Sequence, residues 1–328
     1  MVIVWGELLW DRFPDGAQLG GAPANVAWHL AQLGTPVALV TRVGDDADGH
    51  EAIARLAARG VDTSLIQIDP ERATGEVTVT VEPEPNAVRR VLTGDRASPS
   101  AGETDRSIGA GDGDSLTGSR EPRYRLVPGR AWERIALTAA VEAALGSARA
   151  LVFGTLSQRE PEGRAGLAAA LAAASPRVLR VCDPNLRPSS PSPGDDDALR
   201  QALAAADVCK LGEREVALIG ARLGLADPVA WLLERGARLV AVTHGAAGSR
   251  WFAPGLELDV AAAPARPGGD NVGCGDAYVA GLVHGLLAGW PWSRIGRLAA
   301  AIAAEVASAR GATPIVDGPA LIAAVGTP

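Results

Sequence analysis

Lysine is almost absent from this chain of 328 residues: Lys210 is the only one, and arginine makes up the rest of the 31 basic side chains. A phosphate-cradling loop of the G-x-x-x-x-G-K-[ST] kind needs a Gly directly before its Lys; Lys210 follows Cys209, so that loop is excluded. The H-R-D triplet of protein kinases is missing as well. Cysteine is scarce: Cys182, Cys209 and Cys274 are too few and too scattered for a disulfide framework or for paired C-x-x-C zinc spacing. The four histidines, His29, His50, His244 and His284, show no H-E-x-x-H spacing and read as structural or exposed. No apolar run approaches the roughly 18 residues of a membrane span, and the start Met1-Val2-Ile3-Val4-Trp5-Gly6-Glu7 has no basic region before its apolar stretch. A reduced, cytoplasmic setting without a membrane partner is the expectation. Aromatic residues are only 4%, and the net charge is −7, so nucleic acid is not an expected partner either.

What is there is a large apolar share, 47%, in a pattern of short β-branched runs alternating with Ala/Leu-rich stretches at helical spacing. Strands are expected at 2–5, 37–41, 65–68, 150–153, 178–182, 208–211 and 239–243, and helices at 24–33, 50–59, 133–145, 163–174, 197–205 and 228–235. Such alternation predicts an α/β fold: a doubly wound, mostly parallel sheet flanked by helices. One segment differs. Residues 74–82 alternate with period two, and 123–127 is a natural antiparallel partner, together a small β flap. Between them, 83–122 is rich in Gly, Ser, Asp and Arg with few apolar residues, which predicts a mobile insertion. It contains Gly109-Ala-Gly111-Asp-Gly-Asp114, which reads as linker because no strand precedes it and no helix follows. The loop 188–197 ends in acids suited to a helix start.

The stretch Gly268-Gly269-Asp270-Asn271-Val272-Gly273-Cys274-Gly275-Asp276-Ala277-Tyr278 precedes an apolar helical run to about Leu287. Glycines flanking a small residue at a helix start let successive N–H groups converge, and the helix dipole adds partial positive charge, so this is an anion site. Asp276 in the first turn has two readings: a helix cap, or a base that accepts a hydroxyl proton as that hydroxyl attacks phosphorus. Upstream, Leu19-Gly20-Gly21-Ala22-Pro23-Ala24-Asn25 opens another helix, with Asn25 offering a donor and an acceptor to a polyol and Asp11 able to accept from sugar hydroxyls; an ordinary turn and cap is the plainer alternative.

In order along the chain stand Gly6-Glu7-x-x-x-Asp11, the Gly20-Gly21-Ala22-Pro23-Ala24-Asn25-Val26-Ala27 element, Asp183-Pro184-Asn185-Leu186-Arg187, Lys210-Leu-Gly-Glu-Arg-Glu215, Val242-Thr243-His-Gly245-Ala-Ala-Gly248 and the 270–276 motif. Together they resemble the PfkB (ribokinase) family of carbohydrate and nucleoside kinases, from near residue 3 to about residue 315. Residues 6–14, 154–159 and Tyr124 ahead of Ala131-Trp132-Glu133 are most similar to bacterial fructokinases. The resemblance implies one ribokinase-like domain over 1–328, with a small antiparallel β lid built from about 10–22 and 74–128, including the insertion 83–122. It implies transfer of the γ-phosphoryl group of ATP to a primary hydroxyl of a ketohexose, D-fructose, giving the 6-phosphate. Asp276 would be the base, with Gly273, Cys274 and Gly275 as the anion hole. Asp11, Gly20, Gly21, Asn25 and Arg159 would hold the sugar, and Asp183, Lys210, Glu215, Thr243, Gly245 and Gly248 the nucleotide. Glu215 would organise hydrated Mg²⁺, Asp270 and Gly311 resemble the family's monovalent-cation (K⁺) site, and lids of this family often meet across a homodimer.

Departures from the family pattern also stand out. Gly212 replaces the usual Asn of the N-x-x-E element, which removes one side chain from the Mg²⁺ and phosphate network, and Asn271 replaces the usual Thr. Cys274 stands where Ala is common; at a helix N-terminus its thiol is open to a lowered pKa and to oxidation, or it simply fills tight space. In an arginine-rich background the retained Lys210 marks a local requirement, to reach phosphate or to pair with an acid such as Glu213. Alternatives kept open are another acceptor (2-keto-3-deoxygluconate, ribose or a nucleoside), a non-catalytic sugar-binding relative, and, last, an NAD-dependent oxidoreductase, for which no G-x-G-x-x-G follows the first strand.

Overall fold

The computed structural model describes residues 1–14, 16–80, 123–186 and 194–326. Its strands are β1 (Val2–Trp5), β2 (Leu9–Phe13), β3 (Gly16–Gly20), β4 (Val37–Val40), β5 (Arg42–Gly44), β6 (Gln67–Asp69), β7 (Gly75–Thr80), β8 (Arg123–Leu126), β9 (Ala150–Phe153), β10 (Leu179–Cys182), β11 (Val208–Gly212), β12 (Leu239–Thr243), β13 (Ser249–Ala253) and β14 (Leu256–Val260). The helices are α1 (Ala22–Gln32), α2 (Ala47–Ala58), α3 (Ala139–Ser147), α4 (Pro161–Ala173), α5 (Asp195–Ala204), α6 (Glu213–Leu223), α7 (Pro228–Glu234), α8 (Cys274–Leu287), α9 (Trp292–Ala307) and α10 (Gly318–Ala324).

β1, β4 and β9 are buried over their whole lengths, as apolar runs without polar alternation require when a sheet is covered on both faces. They belong to an eight-stranded sheet in the order β14-β13-β12-β11-β10-β9-β1-β4, parallel from β4 to β12 and antiparallel at β13 and β14. Side chains alternate across it. Val2, Val4 and Val208 join a core with α1, α2, α8 and α9, whereas Ile3, Trp5 and Cys209 join the opposite core with α3 to α7. Lys210 has the parity of Val208 and therefore points toward α8. β1 is followed in the sheet by β4 on one side and β9 on the other, so the topological switch point, where α/β sheets open a crevice, lies between β1 and β9.

A four-stranded sheet, β3-β2-β7-β8, forms the lid. Both outer pairs are antiparallel, and the central β2–β7 pair is parallel because α1, α2 and three strands intervene before the chain returns. Trp10 Nε1 of β2 donates to the Asp48 carbonyl at 3.1 Å, and Arg12 pairs with the Asp48 carboxylate, which ties the lid to α2.

The expected helix over 133–145 is divided: a 3-10 turn at Ala131–Arg134 buries Trp132, and Thr138 then caps α3 by accepting from the Val141 amide. The strand expected at 65–68 is β6, which pairs only with β5 outside the large sheet. The insertion 83–122, its Gly109–Asp114 run and the start of the 188–197 loop lie outside the described residues; Asp195, Asp196 and Asp197 fill the first turn of α5. No single helix among the described residues is long and apolar enough to cross a membrane.

Candidate active site

Two helix N-termini converge beside the switch point. α8 starts from Gly273, whose φ of +77° suits glycine and where a Cβ would stand 2.6 Å from Ala312 Cα. α1 starts from Gly21, with φ of +102° and the Glu7 carbonyl in the space a side chain would need. Each first turn leaves N–H groups without intrahelical partners, so both macrodipoles direct positive potential into the gap. Asp276, buried in the first turn of α8, accepts a hydrogen bond from Asn25 Nδ2 of α1 at 2.8 Å. Asp11, on β2, places its carboxylate against Gly20.

Below the α8 turn lies Lys210. Its Nζ donates to Asp183 at 3.2 and 3.4 Å, and a Cβ on Gly275 would stand 2.8 Å from it. Burial opposes the ammonium, but the carboxylates of Asp183, Glu215 and Asp276 outweigh burial and hold it protonated above the ordinary lysine range. The partner is therefore Asp183, not Glu213, which faces His244 at 3.4 Å.

Glu215, in the first turn of α6, accepts from the Gly212 amide through Oε2 and from the Leu186 amide through Oε1, both at 2.7 Å. The Gly212 bond is half of a capping box. Burial, followed by the Asp183 charge, raises this carboxyl above the usual range, while Lys210 and the two amides pull the other way. Gly212 is the register partner of Thr243 on β12, and the turn Gly245–Ala247, closed by Gly248, follows directly. Lys210, Glu215, Thr243, Gly245 and Gly248 thus share one edge of the sheet with Asp183. Arg159 stands apart from Asn25 in the chain and lines a small cavity of about 70 Å³ with Asn185, Leu186 and Arg222.

Asp270 Oδ1 accepts from the Val272 amide and Oδ2 from the Gly311 amide, each at 3.0 Å, so these two positions are brought together. Cys274 departs from expectation: burial, with Asp270 and Asp276 nearby, pushes its thiol up to about 11, because the carboxylates and desolvation outweigh the helix dipole. Several supporting groups were not foreseen. His29 Nε2 bonds the Ala312 carbonyl at 2.9 Å and thereby backs the residue that Gly273 packs on. Tyr278 Oη accepts from Trp251 Nε1 at 2.8 Å and lies 2.6 Å from Ser249 Oγ, fixing α8 to β13. Gln18 of the lid packs on Gly311. Only the closeness of Tyr278 to Asp276 in sequence signalled any of these.

A glycine-lined helix start that presents a buried carboxylate, beside a lysine–carboxylate cluster on the same sheet edge, is the setting in which family similarity carries meaning. The model of the pfkB family carbohydrate kinases matches residues 16–102 and 126–317. The chain belongs to this family. A fructokinase of Klebsiella pneumoniae is 31% identical over 298 residues, which cover 87% of this chain and 84% of that one. An ATP-bound fructokinase from Xylella fastidiosa superposes with a TM-score of 0.77 at 22% identity, covering 98% of both chains. A Vibrio cholerae O395 fructokinase with fructose, ADP and calcium ion bound gives 0.71 at 23%, covering 95% of this chain and 94% of that one. This pfkB family member is accordingly a sugar kinase, a phosphotransferase with an alcohol group as acceptor, and its fold is ribokinase-like.

Proposed function

We propose that this kinase transfers the γ-phosphoryl group of ATP to the 6-hydroxyl of D-fructose, giving fructose 6-phosphate and ADP. The observation that carries the reading is the Asp276–Asn25 pair where two helix N-termini meet. A carboxylate amid so much positive potential would be held ionised at neutral pH and has a task there: it takes the proton of the attacking hydroxyl as the oxygen bonds to phosphorus and the bond to the ADP oxygen breaks. The N–H groups of Gly273, Cys274 and Gly275 receive the charge spread over the transferring group. The Asn25 amide orients Asp276, Asp11 and Arg159 hold sugar hydroxyls, and Gly20 and Gly21 let the sugar approach the backbone. Asp183, Lys210, Thr243, Gly245 and Gly248 hold the nucleotide, and the lid excludes water that would otherwise take the phosphoryl group. Fructose as acceptor is supported by the relatives' names.

Magnesium would accompany ATP. The donor set fits a hydrated ion: Glu215 gives one amide bond to each oxygen and keeps lone pairs for metal-bound water, whereas no cluster of three or more His, Cys, Asp or Glu able to hold a bare ion occurs among the described residues. Such an ion neutralises charge on the nucleotide phosphates. In the loop joined by Asp270 and Gly311, K⁺ would stiffen the turn into α8; stimulation of turnover by K⁺ over Na⁺ tests that part.

Coupled ADP release over D-fructose, 2-keto-3-deoxygluconate, ribose and a nucleoside tests the acceptor, with fructose expected to give the highest kcat/KM. A marked preference for another acceptor overturns the fructose reading, and sugar binding without turnover of any acceptor would establish a non-catalytic relative. Asp276→Asn is expected to lower kcat by about 10²–10⁴-fold with little change in sugar affinity. ADP release at the wild-type rate would remove Asp276 from the role of base.

A further inference from the structure

The large sheet has a second opening, at the edge opposite the candidate active site. There the N-terminal ends of β10, β11 and β12, the last turn of α8 and the first residue of α9 enclose a cavity of about 360 Å³. That volume is within the range of small-molecule sites, roughly 300–1,000 Å³. Its wall is apolar, formed by Leu179, Val208, Leu239, Leu287 and Trp292, and its rim is basic, formed by Arg149, Arg177 and Arg238. The Arg149 guanidinium donates to the Leu287 carbonyl and so closes the end of α8. Among the described residues, none of the three guanidiniums forms an ion pair with a carboxylate, although most other charged groups of this acidic molecule are paired. The Asp207 carboxylate shares this edge, but its Oδ2 accepts from the Arg180 amide at 2.8 Å, and its carbonyl accepts from the Arg238 amide at 2.7 Å.

We propose that this cavity is a binding site for a small organic anion with a flat apolar body, separate from the kinase site. Planar guanidiniums match carboxylate, sulfonate or phosphate oxygens through paired N–H bonds, and three without acidic partners leave a positive rim with no internal counter-charge. The apolar wall, with the half-buried Trp292 indole, takes the body of the ligand and lowers the local dielectric, which strengthens the contacts at the rim. α8 separates the two openings: Asp276 lies in its first turn and Leu287 ends it, about 20 Å apart at 1.5 Å per residue. One molecule therefore cannot fill both.

The test uses the full chain and 8-anilinonaphthalene-1-sulfonate, whose fluorescence rises in an apolar site. Saturable binding of one equivalent is expected, retained in the presence of AMP-PNP and D-fructose. Phenylpyruvate, an anion with a flat apolar body, is expected to displace the dye, whereas inorganic phosphate and benzyl alcohol at the same concentration leave it bound. The double variant Arg177→Gln/Arg238→Gln should weaken dye binding about tenfold or more with kinase turnover unchanged, which shows that the variant is folded; Arg55→Gln, on α2, should leave dye binding as it is. The proposal is overturned by the absence of saturable binding, by displacement with AMP-PNP, by displacement with benzyl alcohol but not phenylpyruvate, or by wild-type dye affinity in the double variant. None of these outcomes bears on whether Asp276 is the base or fructose the acceptor.

Discussion

Lys210 is buried with one carboxylate in direct contact and two more close enough to raise its pKa. A buried pair of this kind adds little by its presence, because desolvation consumes most of the Coulomb attraction, but removal of one member leaves the rest uncompensated. Lys210→Met would place Asp183, Glu215 and Asp276 around an apolar chain. Unfolding in urea at pH 7 is expected to show a loss of about 3–5 kcal/mol. Since the folded value lies above the ordinary lysine value of 10.5, the contribution is complete below that pH and fades only as pH rises through the folded value. A wild-type midpoint for Lys210→Met would mean that the three acids are already screened or protonated. The single lysine was legible as a marked position from composition alone. Its partner was not, because Glu213 is nearer in sequence, and only the parallel register of β10 and β11 brings Asp183 to it.

At the level of elements, the turn into α8 joins fold to chemistry. Gly273 reverses the chain in a left-handed conformation against the Ala312 backbone, and the amides that follow are aligned only if that contact is kept. Gly273→Ala carries both an unfavourable φ and a collision with backbone, which cannot move aside as a flexible side chain would. The expected cost is about 1–3 kcal/mol of stability, read from thermal or urea unfolding, and a fall in kcat larger than the change in sugar KM. If kcat is unchanged while stability falls, the turn is a structural cap and the anion hole lies elsewhere. Much at this scale could be read directly. β1, β9 and β12 have the expected bounds because short buried runs between turns leave little choice, and α8 follows the glycine motif as expected. α9 was legible in principle, since Ile295, Leu298, Ile302 and Val306 recur at helical spacing. The β2–β7 junction of the lid was not, because strand direction there depends on the length of chain between the partners rather than on either strand's residues.

The molecule as a whole is closed by contacts between its first helix and its last loops, and their chemistry sets a pH dependence. His29 of α1 is fully buried and bonds Ala312, 283 positions away in the chain, while Trp28 and Gln32 of the same helix hold the Pro314 carbonyl at 3.2 Å. The neighbours specify a neutral ring: Nε2–H donates to the Ala312 carbonyl, and Nδ1 accepts from Gln32 Nε2 at 3.3 Å. A second proton would set Nδ1–H against the Gln32 amide hydrogens, and Gln32 is not free to turn because its Oε1 accepts from the Val316 amide. Burial, opposed in part by the Ala312 bond, lowers the pKa from 6.5 to about 4. The unfolded chain therefore takes up a proton below pH 6.5 that the folded chain refuses until about pH 4, and stability falls as pH is lowered through that window. The loss from this one group approaches about 3 kcal/mol. Asp46 and Asp69, lowered despite burial by amide hydrogen bonds and nearby basic groups, lose stability in the same direction at lower pH, whereas raised Glu133 and Glu215 change it in the opposite direction. The His29 share is isolated by difference. Urea unfolding of wild type and His29→Gln at pH 7.5, 6, 5 and 4 should show the gap between them shrinking as pH falls, because glutamine can still donate to Ala312 but cannot take the proton. Parallel pH curves for the two proteins would mean that His29 titrates alike in the folded and unfolded chains, and that the closure between α1 and the 312–316 segment opens readily enough to admit a charge.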